Sequence, residues 1–570
     1  VRARHRGPAA FAGTSELLTG AQILCRVLLE EGVDVLFGYP GGAIMPFYDA
    51  LPDYPRLRHV LVRHEQAAAH AADGYARASG RLGVCVATSG PGATNLVTGL
   101  ATAQMDSSPV LAITGQVATE MMGRDAFQET DVIGVALAVT KHCAVVRDVK
   151  DLAGAAREAI YAARDGRPGP VLLDVPKDMQ NARAEFRPAA RRARWQPAVP
   201  APEGIQTAAG LIAAAERPVI LAGHGVLLAR ASAELRAFAE RTDIPVITTL
   251  LGISAFPTSH RLHLGMPGMH GEVHVNCAIQ HADLIIGIGL RFDDRVTGNT
   301  AKFAPHARII HVDLDPTEIG RTINVTLPLM GDARATLREL LATTPPGDRS
   351  EWRATIAGSE REVGEDTPNG VTPTAILDAI RVAGGESACV VSDVGQHQMW
   401  VAKRCRYTRP NTHFTSGGLG TMGFAVPAAM GVKLARPHHQ VWAISGDGGF
   451  QMNMQEMATM VQEGIAVKLA VFNNGYLGMV RQWQQFFHRR RYSATPIWSP
   501  DYVRLAEAYG IPGQRVIRGH EIEEAVGAAA ASPGPALVEF VIEQEANVFP
   551  MIPPGASLSE GIEGVPATVQ

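Results

Sequence analysis

The feature that most constrains the fold is an alternation: short runs rich in Val, Ile and Leu, bounded by glycine or turn residues, are followed by Ala-rich stretches of helical spacing. A first block, from about Thr14 to Pro176, carries "VDVLFGYP", "HVLVRHE", "GVCVATSGPG", "PVLAITGQ" and "GPVLLDVP". A second, from about Ile205 to Leu341, carries "RPVILAG", "IPVITTL", "ADLIIGIG" and "ARIIHVDLD", and a third, starting near Val371, carries "ACVVSDVG", "HQVWAISGDGG", "VKLAVFNNGY" and "PALVEFVIE". Apolar runs of this length between helical stretches are the βα pattern of a mostly parallel sheet. The chain is therefore expected to be α/β, with three doubly wound parallel-sheet domains at 14–180, 204–343 and 371–552 and a C-terminal tail at 553–570. Two polar stretches without apolar periodicity, "NARAEFRPAARRARWQPAVPAPEG" and "TTPPGDRSEWRATIAGSEREVGEDTPNG", are the expected linkers.

Composition narrows the function classes. A net charge of -4 gives no electrostatic reason to expect nucleic acid or an anionic membrane, so small-molecule chemistry is the default. The six cysteines are scattered without CxxC spacing, which points to reduced core residues in a cytoplasmic setting and suggests no zinc site. No apolar run is long enough to cross a bilayer, and the opening "VRARHRGPAAFAG" lacks the apolar centre of a secretory signal. A short tail or the remnant of an organelle transit peptide accounts for it.

The third block carries the most suggestive chemistry. Its run "VWAIS" ends in "GDGG", which sets the carboxylate of Asp447 at the carboxyl end of a strand, where ligands of open α/β sheets collect. The following "FQMNMQEMATMVQEG" has helical spacing, and "AVKLAVFNN" is the next strand. Such a crossover is right-handed and sets neighbouring strand ends side by side, so Asp447 and Asn474 are expected close together. A carboxylate and an amide oxygen suit a hard cation; magnesium with a diphosphate needs few protein oxygens and leaves room for the backbone carbonyl of Tyr476. Gly446 and Gly448 would let the diphosphate approach the backbone. A helix cap on a tight turn explains an isolated GDG equally well, but the paired asparagines one strand later favour the metal.

GDG followed at this distance by NN is the motif of the thiamine diphosphate enzymes, and the chain resembles that superfamily from Leu17 to near its C-terminus. More narrowly it resembles the catalytic subunits of the acetohydroxyacid synthase (acetolactate synthase) family. The resemblance is carried by "YPGGAIMPFYDAL", "RHEQAAAHAADGYARASG", "TSGPGATN", "RDAFQE", "GRPGPVLLDVPKD", "GMHG", "RFDDRVTG", "VGQHQMW", "SGGLGTMGF" and "NNGYLGMVRQWQQ". It implies pyrimidine-binding, central FAD-binding and diphosphate-binding domains in that order, and three cofactors: thiamine diphosphate, Mg2+ and FAD. The implied reaction decarboxylates pyruvate and ligates the two-carbon unit to a second pyruvate or to 2-ketobutyrate, at the head of branched-chain amino acid biosynthesis.

The resemblance also assigns residues. Glu65 is the family's buried glutamate that holds the aminopyrimidine ring nitrogen and shares its proton; a first-turn helix acid is the alternative explanation. Gly420 would offer its carbonyl to the exocyclic amine, and Met422 would wedge the cofactor rings, although a methionine also fills cores. Gln396 and His397 match diphosphate contacts, with Met479 beside them. For the second substrate, Arg295 matches a carboxylate clamp, suited to bidentate binding, and Trp483 and Met269 match a wall favouring the extra methyl of 2-ketobutyrate. Phe127, Gln128, Lys177 and Gly42 complete that site. The flavin matches are Arg167, the segment from His270 and Gly271 to Arg291, and the segment from Asp313 to Asp332. The "GHG" of the central block is by itself only a partial dinucleotide fingerprint, and the acids of "HVDLD" could equally cap a turn.

The resemblance further implies a homodimer or homotetramer, because pyrimidine and diphosphate domains that share a cofactor come from different subunits, and a small regulatory subunit responsive to branched-chain amino acids. Two other readings stay open on the sequence: an oxidase of the pyruvate oxidase kind, using the same Glu65, Asp447 and Asn474 with FAD as electron acceptor, and a non-catalytic paralogue. Arg295 with Trp483 speaks for carboligation; the intact acids speak for catalysis.

Overall fold

The computed structural model describes residues 15–189, 192, 199–361 and 370–565. The basic opening, the middle of the first linker and the acidic part of the second lie outside them. The chain divides into two compact units, one built on residues up to Trp195 with Met430–Ala435, the other on Gln196–Ala429 with Arg436 onwards.

In the first unit, β1 (Glu16–Thr19) pairs antiparallel with β8 (Arg183–Phe186), and β2 (Val35–Gly38), β3 (Arg58–Leu61), β4 (Gly83–Ala87), β5 (Val110–Gln116), β6 (His142–Val145) and β7 (Val171–Pro176) form a parallel sheet in the order β3-β2-β4-β5-β7-β6. β4 and β5 are buried throughout, which is why their sequences are continuous apolar runs: in a sheet covered on both faces neither side of a strand meets water. The helix Glu65–Ser79 packs closely where its buried residues are alanine; a Cβ on Gly83 would lie 2.0 Å from the Ala72 carbonyl oxygen.

The second unit holds two more parallel six-stranded sheets. The central one comprises β9 (Pro218–Ala222), β10 (Val246–Thr248), β11 (His263–Gly265), β12 (Leu284–Ile288), β13 (Arg308–Asp313) and β14 (Leu327–Met330), in the order β11-β10-β9-β12-β13-β14. The last comprises β15 (Cys389–Ser392), β16 (His413–Thr415), β17 (Val441–Gly446), β18 (Lys468–Asn473), β19 (Gly513–Val516) and β20 (Ala536–Val541), in the order β16-β15-β17-β18-β20-β19. The first and last sheets thus share one permutation and the central sheet has another. The winding reverses between β2 and β4, β9 and β12, and β15 and β17, and such a reversal opens a crevice at the carboxyl ends of the flanking strands; the first and last sheets turn back again at their far edges, where β6 and β19 lie outside β7 and β20.

Three details depart from the expected boundaries. The first block continues past residue 180 into β8. The second expected linker contains a helix, Ser350–Ala357, whose Trp352 Nε1 donates to the Pro218 carbonyl at 3.2 Å and whose Ile356 joins the central core. The tail over residues 553–565 lies against the central block, with Asn299 N donating to the Ala556 carbonyl at 3.1 Å and Gln280 Nε2 to Ser557 Oγ at 2.7 Å. None of the six cysteines forms a disulfide, and four of them are buried. Among the described residues, no helix is long and apolar enough to cross a membrane.

Candidate active site

At the β15/β17 reversal lies a cleft with about 450 Å³ of open space. Nine residues singled out from the sequence line it together: Gln396, His397, Met422, Gly446, Asp447, Gly448, Asn474, Tyr476 and Met479. β17 and β18 are in register to their ends, Gly446 opposite Phe472, and this pairing brings Asp447 and Asn474 to one edge.

Asp447 is 2% exposed, and its carboxylate accepts the Gly448 N–H at 2.9 Å and the Gly475 N–H at 2.7 Å. Burial pushes its carboxyl up to about 6, against the lowering effect of those backbone bonds. No basic side chain pairs with it among the described residues. A buried acid of this kind is costly without a counter-charge, and a divalent cation is the counter-charge this donor set fits: Asn474, also buried, supplies an amide oxygen beside it. The Tyr502 hydroxyl, buried and unnoticed in the sequence, donates to the Asp447 carbonyl at 3.1 Å and fixes the turn from below.

His397 faces the cleft in a form other than a cationic phosphate ligand. Burial pushes its imidazole down to about 3, leaving it neutral, and its Nε2 accepts the Gly446 N–H at 3.3 Å. Gln396 is held by Gln482, through Nε2 to Oε1 at 2.9 Å, and by the Ala546 carbonyl at 2.7 Å. Met422 is placed by its neighbour: the Gly423 N–H donates to Asp393 Oδ1 at 2.9 Å, and the same buried carboxylate accepts the Val394 N–H at 2.7 Å. Gly420, expected in the cleft, is exposed outside its lining; its φ of 70° is the left-handed conformation that glycine adopts without strain.

Met269 and Arg295 stand together. Arg295 Nη1 reaches Met269 Sδ at 3.2 Å, and the Met269 N–H donates to the Arg295 carbonyl at 2.9 Å. Trp483 is half-buried on the helix Gly478–Phe487, edge-on to Phe487 at 5.4 Å. The segment 548–552 joins the two elements: Gln482, on that helix, exchanges hydrogen bonds with Val548 at 2.8 and 2.9 Å, and Ile552 N donates to the Met269 carbonyl at 2.8 Å.

At the carboxyl ends of the central strands, the glycines of "GHG" serve packing. A Cβ on Gly223 would lie 2.2 Å from the Gly289 carbonyl oxygen, and one on Gly225 would lie 2.6 Å from the Gly289 Cα, so the two turns touch backbone to backbone. His270 is buried with Nδ1 unpartnered, and burial, helped by the Lys403 charge, lowers its pKa to about 4. Gly271 lies in the same turn, where a Cβ would meet the Met266 carbonyl oxygen at 2.6 Å. Arg291 is half-buried and only loosely paired with Asp293, at 3.8 Å. Asp313 ends β13 and accepts the Asp315 N–H at 2.8 Å. Asp332 is otherwise engaged, because its side chain caps the helix Ala333–Thr343 by accepting the Ala335 N–H at 2.9 Å.

In the first unit, Glu65 opens its helix and accepts Asn95 Nδ2 at 2.9 Å. It is half-buried rather than buried, since the helix start faces the open end of the sheet. The turn Gly90–Gly92 closes on it: a Cβ on Gly92 would lie 3.3 Å from Glu65 Oε1, and one on Gly90, at φ 58°, 2.8 Å from the Gln128 carbonyl oxygen. Gln128 itself has φ 58°, and the adjacent Phe127 is 88% exposed, so within this unit Phe127 walls nothing. Lys177 is exposed at the carboxyl end of β7, and Gly42 is exposed after β2, with nothing within 4 Å of a Cβ built on it. Arg167 precedes β7 at the opposite edge of the sheet and donates to Ser107 Oγ at 2.8 Å, so it is not part of the Glu65 group.

Family models match the chain in three places: the thiamine pyrophosphate enzyme N-terminal TPP binding domain over residues 18–135, the central domain over 205–340 and the C-terminal TPP binding domain over 393–540. An acetolactate synthase of Mycobacterium bovis is 48% identical over 569 residues, covering 95% of this chain and 91% of its own. The acetolactate synthase large subunit of Corynebacterium glutamicum is 47% identical, covering 96% and 90%. The isozyme 2 large subunit of Escherichia coli is 45% identical, covering 96% of this chain and all of its own.

Proposed function

The chain belongs to the acetolactate synthase large-subunit family of thiamine pyrophosphate enzymes, and on that premise we propose which of its residues carry out the reaction. The activity is that of the family: decarboxylation of pyruvate and ligation of the remaining two-carbon unit to a second 2-keto acid, giving acetolactate for branched-chain amino acid biosynthesis. The observation that carries the assignment of roles is the cleft at the β15/β17 reversal with Asp447 buried in it and lacking a basic partner among the described residues.

Bound thiamine diphosphate supplies a carbon nucleophile and electron sink for the 2-keto acid. Asp447, Asn474 and the Tyr476 carbonyl would hold magnesium, and with it the diphosphate. His397 orients Gly446 and the strand end rather than carrying charge. Met422 presses on the cofactor from the turn that Asp393 anchors. Glu65 holds a proton at the pyrimidine nitrogen, a task that matches its position on a helix start next to a glycine turn. Arg295 binds the acceptor carboxylate, and Met269 with Trp483 bounds its alkyl group, so that the acceptor meets the nucleophile oriented and away from water. Gly42, Gln128, Phe127 and Lys177 belong to the Glu65 half, whose exposed members are free to meet a second subunit. A homodimer or homotetramer, with each site built from two copies, is part of the proposal, as is a smaller regulatory partner, which the "large subunit" in the relatives' names supports.

The central block would hold FAD through His270, Gly271, Arg291 and Asp313. The unpartnered His270 Nδ1 and the loosely paired Arg291 fit such a ligand, whereas the Asp332 side chain does not. Cysteines that are buried as thiols rather than joined as disulfides support a cytoplasmic setting. The deciding experiment is a product assay with pyruvate, thiamine diphosphate, magnesium and FAD under air and under argon. Equal acetolactate in both is expected; oxygen-dependent acetate or acetyl phosphate with peroxide would make the chain an oxidase.

A further inference from the structure

The turn that carries Met269 is held by a residue of the segment from His270 to Arg291 that has been given no role of its own above. Asn276, on the helix Val273–His281, is 1% exposed and grips the backbone of Gly268 from both sides: Gly268 N donates to Asn276 Oδ1 at 2.8 Å, and Asn276 Nδ2 donates to the Gly268 carbonyl at 2.9 Å. An asparagine is the fitting residue here, because its amide presents one acceptor and one donor at the spacing of a peptide group. The opposite side of the turn is equally confined. Gly268 has φ 94°, and a Cβ on it would lie 1.8 Å from the Arg295 carbonyl oxygen, the same oxygen that accepts the Met269 N–H. Arg295 in turn lies in the first turn of the short helix Asp294–Thr297 capped by Asp293, which accepts the Arg295 and Val296 N–H groups at 3.2 Å.

The Met269 and Arg295 side chains therefore hold their mutual position only while the Gly268 peptide is clamped. We propose that Asn276 is a positioning residue that sets the choice of acceptor, by fixing Met269 against Arg295. The inference rests on the reading of Arg295 and Met269 as the acceptor site. Replacing Asn276 by alanine leaves a buried peptide N–H and carbonyl without partners, and the turn relaxes to recover hydrogen bonds elsewhere, carrying Met269 with it. Asn276→Asp retains the acceptor but sets a carboxylate oxygen against the Gly268 carbonyl, so it disturbs the turn without emptying the site.

The test uses the full chain with its cofactors and a mixture of pyruvate and 2-ketobutyrate, and reads the ratio of the two hydroxyacid products. Both products pass through the same pyruvate-consuming step, so a loss of folded protein or of bound cofactor lowers them together and leaves the ratio unmoved. Asn276→Ala and Asn276→Asp are expected to lower the preference for 2-ketobutyrate by about tenfold, the scale of one mispositioned methyl contact. A wild-type ratio in the variants that fold overturns the proposal, and Asn276→Asp keeps the measurement possible if the alanine variant does not fold. Arg295→Gln is measured alongside. If it leaves the acceptor KM unchanged, the acceptor-site reading fails and this inference fails with it; if it raises that KM while the Asn276 variants keep the wild-type ratio, only the role of Asn276 falls.

Discussion

The crevices of the central and last sheets occupy equivalent places, each at the carboxyl ends of the strands where winding reverses, and each is lined by glycines. Their glycines do different work. In the central sheet the atoms that a Cβ would strike belong to the backbone of the facing turn, Gly289 against Gly223 and Gly225. In the last sheet they belong to side chains: His397 for Gly446, Leu477 for Gly448 and Asp393 for Gly449. The last crevice also contains a buried acid without a counter-charge, which the turns of the central one do not need. A glycine-rich turn after a strand is thus no sign of a ligand by itself; a buried, unpaired charge beside it is. The flavin proposal for this reason leans on His270, Arg291 and Asp313 and draws nothing from the glycines.

The strongest challenge to this contrast is Asp447→Ala. Loss of a direct ligand should exceed the cost of losing an outer partner, so magnesium and thiamine diphosphate affinity should fall by more than about 100-fold, read by cofactor remaining after desalting. Retention of cofactor would show that the acid is structural after all. Glu65→Gln separates holding from chemistry: cofactor stays bound while kcat falls by about 10²- to 10⁴-fold, read in single-turnover assays. Gly289→Ala addresses the central turns. With a Cβ 2.5 Å from the Gly225 Cα and φ at 59°, it should lower stability by about 1–3 kcal/mol even without flavin, read by thermal melting. If flavin-free protein melts as wild type and only flavin binding suffers, those glycines face a ligand.

The smallest effect concerns a buried acid that faces no ligand. Asp174, in β7, accepts Thr114 Oγ1 at 2.7 Å and Gln116 Nε2 at 3.1 Å, and burial pushes its carboxyl up to about 7. The folded chain holds this proton more tightly than the unfolded chain does. Its stabilising contribution is therefore full below the ordinary aspartate range near 4 and is lost as pH rises through about 7. Asp174→Asn should flatten the fall of melting temperature between pH 5 and 8, removing a slope of at most about 1.4 kcal/mol per pH unit. An unchanged slope would assign it to other groups.

The interior strands and one edge strand, β3, were legible, and the other rims were not. β6, β11, β14, β16 and β19 went unread, and each lies at an edge of its sheet. Edge strands meet one neighbour only. β6 and β11 are half-buried or exposed, so no apolar run marks them; β14 contains Pro328, which an edge tolerates; β16 is three residues long. The ribbon strand β8 shows clean alternation in "RAEF" but sits within an arginine-rich stretch that reads as linker. In the site, Asp447 and Asn474 could be paired in advance because a single crossover fixes both strand ends. Tyr502, Gln482, Asp393 and Asn276 could not. They act on backbone groups, as Gln482 does on Val548 sixty-six residues away, and only the folded chain shows which peptide each one meets.

The bridge made by residues 548–552 has a bearing on the order in which the protein is made. A ribosome releases the Met269 turn and later the helix of Trp483 well before Val548 and Ile552 emerge, and domains fold as they appear. During that interval the Met269 carbonyl and the Gln482 Nε2 group lack their eventual partners in that segment. The three sheets can consolidate one after another, but the surface on which the acceptor rests is finished only when this late segment docks, so a nascent chain acquires its architecture before its selectivity.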